Sequence, residues 1–371
     1  MNNNVPRTLH VFNPSHDEAL AAASPYYYPT VIARRLRCEW GALPALWARE
    51  GDAVWVESDA DVPEAGRWCA GVEFVSKRQM VRPSFWKGVE RIMPWGWDAV
   101  VAQQLRRLGA PEHLLPTAEA IAHTRRLSSR ATTTLLLPHL RKALDESGCT
   151  GLATVGRSRV AASLEEVLQA QGEWGGEAVV KSLWSCSGRG VFRIAGTPTA
   201  NDRGRIARLI REQGGVEVEP AYRTVADFAL EFCAHADGTV TYEGLSLFAT
   251  NASGGYCGNI IAPQPALARR LHALGGPSEK GLERLAAVCC RELGTAIDGY
   301  HVGPLGIDMM LVGTGDGAER TPLLHPCIEV NLRRTMGHVA LCVARRGINP
   351  DELPARFKDI CYFCPSTTNT D

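Results

Sequence analysis

Glu177-Ala178-Val179-Val180-Lys181-Ser182-Leu183-Trp184-Ser185-Cys186-Ser187-Gly188-Arg189-Gly190-Val191-Phe192-Arg193-Ile194 reads as strand, tight loop, strand. Ala178 to Val180 and Val191 to Ile194 are short apolar runs with β-branched residues. The intervening Ser-Cys-Ser-Gly-Arg-Gly lets the backbone fold back and turn several N–H groups to one concave side, as a polyphosphate requires. Lys181, at the end of the first strand, can set its ammonium on phosphate oxygens. An ordinary hairpin with a surface lysine is the alternative this stretch alone leaves open. It is not a P-loop, because no Gly-x-x-x-x-Gly-Lys-Ser/Thr occurs.

A second informative region lies far downstream. Gly303-Pro304-Leu305-Gly306-Ile307-Asp308-Met309-Met310-Leu311-Val312 is a strand with one carboxylate among apolar neighbours. After a tip at 313–317, the return strand ends in Ile328-Glu329-Val330-Asn331-Leu332-Arg333-Arg334. A period of two puts Glu329 and Asn331 on one face, and antiparallel pairing can bring Asp308 beside them. A few hard oxygen ligands with room for water and phosphate suit Mg²⁺ or Mn²⁺. A salt bridge from these carboxylates to Arg333 or Arg334 is the alternative.

The 371 residues suit two or three subdomains, and 45% hydrophobic with 22% charged residues describes a folded chain. Lys plus Arg and Asp plus Glu are both 40, which points to neither nucleic acid nor a membrane surface as partner. The Asn-rich start lacks the regions of a signal peptide, and no run is long enough to span a bilayer, so a cytoplasmic protein is expected. The 12 cysteines are scattered without zinc-type spacing; Cys361 and Cys364 form one close pair, and incidental thiols in a reducing compartment are expected.

The first hundred or so residues alternate strand and helix, which predicts a small open α/β domain. Thr8 to Phe12 is a strand that runs into Asn13-Pro14-Ser15-His16-Asp17-Glu18, a turn and helix start. Ligand sites form at such strand ends, so His16 and Asp17 are candidate substrate residues, with helix capping as the alternative. Arg34, Arg35 and Arg37 on one turn read as a solvated face, or as a site for a substrate carboxylate. Pro94-Trp95-Gly96-Trp97-Asp98 opens another helix. Later, Pro138 is expected to kink or interrupt a helix. Leu152 to Val160 reads as a strand, Val216 to Tyr222 as a short edge strand, and Asn251 to Asn259 as a flexible loop.

Taken in order, these features resemble the ATP-grasp superfamily over roughly Leu115 to the C-terminus. The resemblance rests on a lysine before Ser-Gly-Arg-Gly-Val, an acidic strand Val-Glu-Val-Glu, then Gly-Ile-Asp-Met-Met and Ile-Glu-Val-Asn-Leu-Arg. It implies two α+β subdomains clasping ATP, preceded by a small open-sheet α/β domain: residues 1–115, then 116–371 divided into a lid at about 128–222 and a larger part at about 223–371. By position, Lys181 resembles the lysine on the α/β-phosphates. Ser187, Gly188, Arg189 and Gly190 resemble the loop over the β/γ-phosphates. Glu217 to Tyr222 resembles the hinge for adenine, with Glu219 near the adenine amine and Asp227 near the ribose. Asp308, Glu329 and Asn331 match the metal ligands. A further phosphate cation would be Arg126 or Arg130.

The resemblance implies an ATP- and Mg²⁺-dependent (or Mn²⁺-dependent) ligase that activates a small-molecule carboxylate as an acyl phosphate for attack by an amine or thiol. A small-molecule kinase on the same fold and a non-catalytic nucleotide-binding protein are the alternatives. Arg333, two residues past Asn331, could neutralise the acyl-phosphate oxygens. His16, Asp17, Tyr256, Asn259 and Arg333 are expected to form the acceptor pocket. Assembly as a monomer or homodimer is left open.

Overall fold

The computed structural model describes residues 7–62, 67–185, 190–251, 255–314 and 321–349, with 353, 357 and the short strand Cys361–Tyr362. Ser187, Gly188 and Arg189 therefore lie outside the described residues. The chain forms two compact units, residues 1–125 with 339–371, and residues 126–338. The boundary expected at 115/116 falls inside the first unit.

The first unit carries β1 (Arg7–Val11), α1 (His16–Ala22), α2 (Val31–Trp40), β2 (Ala53–Trp55), β3 (Glu73–Val75), α3 (Lys77–Met80), α4 (Pro83–Trp86), β4 (Val89–Pro94) and α5 (Ala99–Arg107), followed by α6 (Ala118–Leu127). Its strands lie in the order β3-β2-β1-β4 and all pair in parallel. Parallel strands need crossovers, and the helices supply them while covering the apolar strand residues. Leu9, Val11, Ala53, Trp55, Val75 and Ile92 join Val101 and Leu105 of α5 in the core. This is the open α/β sheet expected from the alternation of elements.

The second unit begins with α7 (Arg130–Ser147), β5 (Arg159–Ala161), α8 (Leu164–Glu173), β6 (Glu177–Ser182), β7 (Val191–Ala195), α9 (Ala200–Gln213) and β8 (Val216–Pro220). It continues with β9 (Thr224–Ala234), β10 (Val240–Thr250), β11 (Tyr256–Ile260), α10 (Gln264–Ala273), α11 (Glu279–Ile297), β12 (Gly303–Val312) and β13 (Leu323–Asn331). α12 (Met336–Arg345) follows, and its residues from 339 on belong to the first unit.

β5 to β8 make a small antiparallel sheet in the order β5-β8-β6-β7. α8 and α9 cover one face, where Ala178, Val180, Val216 and Val218 meet Val167, Ala170, Ile206 and Leu209. Period two then sends Lys181, Glu217 and Glu219 to the other face. β8 is interior, not an edge, and Pro220 is tolerated because it closes the strand.

The larger antiparallel sheet runs β13-β12-β9-β10-β11. α7, α10 and α11 pack on the face of Phe228, Leu230, Phe232, Leu245, Leu247, Leu305, Ile307 and Met309. The opposite face carries Asp227, Glu231, Ser246, Asp308, His325, Glu329 and Asn331.

Three local expectations are corrected. α7 runs unbroken through Pro138. Leu136, Leu137, Leu140 and Leu144 are buried there, each contributing about 1.5–3 kcal/mol, comparable to the roughly 3 kcal/mol that an interior proline costs. Ser129 caps its start and Gly148, at φ 55°, ends it. Strand character near 152–160 is limited to β5 and one bridge, Thr154 to Leu324. Tyr256 to Ile260, expected as part of a loop, is strand β11 paired with β10.

Candidate functional site

The polar faces of the two sheets in the second unit share one charge cluster. In the small sheet Lys181 lies directly opposite Glu217, and Val179 opposite Glu219, so both carboxylates flank the lysine. Lys181 Nζ is 2.7 Å from Glu219 and 3.7 Å from Glu217. All three side chains are buried. Burial pulls the Lys181 pKa down, but Glu219 and Glu217 more than offset it, so the lysine is held charged. Burial pushes Glu219 up to about 7 despite the lysine. Ser158 Oγ donates to the other oxygen of Glu217 at 2.7 Å.

Arg130 ties the small sheet to the large one. It is the first residue of α7, and its N–H donates to Leu183 O. Its guanidinium donates to Ser182 O and, at 2.9 Å, to Ser185 Oγ. It lies 3.8 Å from Glu217 in β8 and 2.8 Å from Glu329 in β13. Of the two arginines expected as a further phosphate cation, Arg130 is therefore buried in this cluster, whereas Arg126 is exposed. Gly190, at φ 74°, accepts from the Ser182 N–H at 2.9 Å through its carbonyl, and a Cβ there would sit 2.4 Å from Ser182 Oγ.

In the large sheet Asp308 lies directly opposite Glu329, and Asn331 Nδ2 donates to Asp308 at 3.3 Å. Burial, then Glu329 and Glu231, push Asp308 up to about 8, with Arg333 acting the other way. Two adjacent carboxyl groups and an amide on one face are a hard-oxygen set that a divalent cation fits. No group of three or more His, Cys, Asp or Glu side chains is gathered as a metal site among the described residues, and Glu329 is occupied by Arg130. Asp227 shares this face; burial raises its pKa, and Thr250 donates to it at 2.8 Å. Tyr222 follows β8 and accepts from the Arg157 N–H at 3.1 Å. Tyr256 donates to Asn259, which donates to Ser246 at 2.6 Å.

Some residues of this cluster were not singled out in the sequence. Glu231 is buried in β9, with His338 Nδ1 at 3.0 Å. Gly306 and Gly337 make its space: a Cβ on Gly337 would fall 1.8 Å from Glu231, and one on Gly306 2.6 Å. The alternation Asp227-Ala229-Glu231 was legible, but nothing in the sequence paired Glu231 with His338. His325 is buried beside Tyr222 and lies opposite Met310, because the register slips between Glu329 and His325.

His16 belongs to a separate cluster in the first unit. It is 1% exposed, and its ring covers Gly96, where a Cβ would sit 2.7 Å from it. Asn13 donates to Gly96 O and to Asp98, each at 2.8 Å. Asp98 caps α5 by accepting from the Val100 and Val101 N–H groups, and His16 Nδ1 is 3.5 Å away. The two motifs after β1 and β4 thus bind each other, and His16 is packed against Gly96 with neither ring nitrogen hydrogen-bonded among the described residues. Asp17 is half-buried in the first turn of α1. Arg37 pairs with Glu57, Arg35 with Glu39, and Arg34 lies over Tyr28, so each arginine has a local partner.

No protein-family model and no curated protein sequence matches the chain. Solved structures do. The biotin carboxylase of Campylobacter jejuni, in complex with β,γ-ATP, is similar over 96% of this chain and 74% of its own, at 15% identity and a TM-score of 0.51. The biotin carboxylase domain dimer of the Hydrogenobacter thermophilus 2-oxoglutarate carboxylase, with MgADP, ADP and bicarbonate, is similar over 95% and 72%, at 12% identity and a TM-score of 0.51. The N5-carboxyaminoimidazole synthetase of Staphylococcus aureus, complexed with ADP, covers 90% and 72% at 13% identity and a TM-score of 0.45. Two half-covered antiparallel sheets whose polar faces share one charge cluster, after an open parallel sheet, give this chain the fold of the ATP-grasp superfamily.

Proposed function

We propose that the protein is an ATP-dependent ligase that activates a small-molecule carboxylate as an acyl phosphate for attack by an amine. The observation that carries this reading is Arg130, buried between Glu217 of one sheet and Glu329 of the other. Cations so placed cost several kcal/mol of desolvation each unless an anion meets them. Carboxylates meet them here, and a nucleotide polyphosphate would take over that part.

Lys181 and Arg130 hold the phosphates, the loop closed by Gly190 covers them, and residues 217–222 with Asp227 receive adenine and ribose. Asp308, Glu329 and Asn331 would hold Mg²⁺ or Mn²⁺, which would neutralise phosphate charge. The γ-phosphoryl group passes to the substrate carboxylate, an amine attacks the acyl carbon, a C–N bond forms, and phosphate leaves with loss of the amine proton. Arg333 neutralises the acyl-phosphate oxygens, and Tyr256 and Asn259 lie on the acceptor side. Residues 128–222 act as the lid, which excludes water from the intermediate. His16 has no part in this reading.

The test is a screen of metabolite pools for ADP release, with products identified by mass spectrometry. ADP, free phosphate and a condensed product are expected; ADP with a phosphorylated acceptor would make the protein a kinase. Glu329→Gln should abolish Mg²⁺-dependent turnover with the fold intact. Normal turnover in that variant would leave Glu329 as the partner of Arg130 and nothing more.

A further inference from the structure

His325 is fully buried in β13, and neither ring nitrogen has a hydrogen-bond partner among the described residues. A buried polar group left unpaired costs about 1–3 kcal/mol, so such a residue needs a reason. Its position supplies one. His325 lies opposite Met310, which lies opposite Asp227, so the imidazole shares the polar face with Asp227, Asp308 and Glu329. It stands on the side of Asp308 away from Asn331, toward the hinge. The Tyr222 ring meets it edge-on at 5.3 Å between centroids. On another side Gly156, at φ 134°, approaches so closely that a Cβ would sit 2.8 Å from Nε2. The ring is thus fixed by packing while its polar atoms are left unused.

We propose that His325 selects the base of the bound nucleotide by hydrogen-bonding an edge of the purine. This rests on the nucleotide reading above and adds a residue to it. Burial, with the charges of Lys181 and Arg141, pulls His325 down to about 3, so at working pH it offers one N–H donor and one lone pair. A neutral ring suits an uncharged base; a cation in its place would suit phosphate. A site built to hydrogen-bond a ligand group discriminates strongly against the analogue that lacks it.

The test is a cycle between residue and ligand, read by calorimetry with Mg²⁺ present. The probes are ATP, purine-riboside triphosphate, which lacks the 6-amino group, and 7-deaza-ATP, which lacks N7. In the wild type, one analogue should bind about tenfold more weakly than ATP. In His325→Leu that analogue and ATP should agree within about twofold, and His325→Asn should restore part of the gap. Should the leucine variant fail to fold by thermal unfolding, His325→Phe keeps a flat ring and serves instead. Equal analogue-to-ATP ratios in wild type and variant overturn the proposal and leave the histidine as packing. Lys181→Ala should weaken all three probes alike. A wild type that binds none of them overturns the nucleotide reading itself, and this inference with it.

Discussion

Two buried polar clusters in this protein are built on different terms. In the first unit, Asn13 and Asp98 spend their hydrogen bonds on Gly96 O, on each other and on the first N–H groups of α5. In the second unit, Arg130, Lys181, Glu217, Glu219 and Glu329 are matched charge against charge, and some contacts stand at 3.7–3.8 Å. Backbone partners cannot be exchanged without unfolding a helix end. Carboxylate partners can be exchanged for phosphate or a metal ion. On the proposed reading, the first cluster holds a fold and the second exchanges its partners for ligands.

The largest effect that can break this contrast is Arg130→Ala. It takes the Arg130 cation from Glu329 and leaves Glu217 with Lys181 alone, and should destabilise the protein by about 3–5 kcal/mol in urea unfolding. Adding Glu329→Gln should recover part of the loss. Additive losses would mean that the two side chains do not interact.

His325 gives the pH arm. Its folded pKa, about 3, lies below the ordinary value of 6.5, so its stabilising effect is present above about pH 6.5 and lost as pH falls toward 3. Wild-type stability should fall relative to His325→Leu by about 1.4 kcal/mol per pH unit in the middle of that window. Parallel stability curves from pH 7 to pH 4 would show that the ring is not buried neutral.

Gly337→Ala sets a Cβ 1.8 Å from Glu231, so the backbone or the Glu231–His338 contact must move. A loss of about 1–3 kcal/mol is expected, and no loss would show that this corner yields. Asp98→Ala, in the first unit, removes an N-cap and should cost about 0.5–2 kcal/mol without changing nucleotide affinity. A changed affinity would erase the distinction between the clusters.

Lys181, the acidic strand and Asp308 with Glu329 and Asn331 were legible because strand alternation fixes which side chains share a face. The small parallel sheet was legible from alternating strands and helices. What was not legible depends on partners distant in sequence. His16 looked like a strand-end ligand residue, but only the structure brings Gly96 and Asp98 to its ring. Glu219 looked like a hinge carboxylate, and the register of β6 with β8 also makes it a lysine partner. The Asn251 to Asn259 glycines suggested a loop, yet pairing with β10 makes a strand of its second half.

The most direct test is the affinity of Lys181→Ala for ATP with Mg²⁺, measured by calorimetry beside the wild type. Loss of a charge-assisted contact worth about 1.5–3 kcal/mol should weaken binding at least tenfold in a variant that thermal unfolding shows to be folded. Unchanged affinity would contradict the assignment of this charge cluster as a nucleotide site.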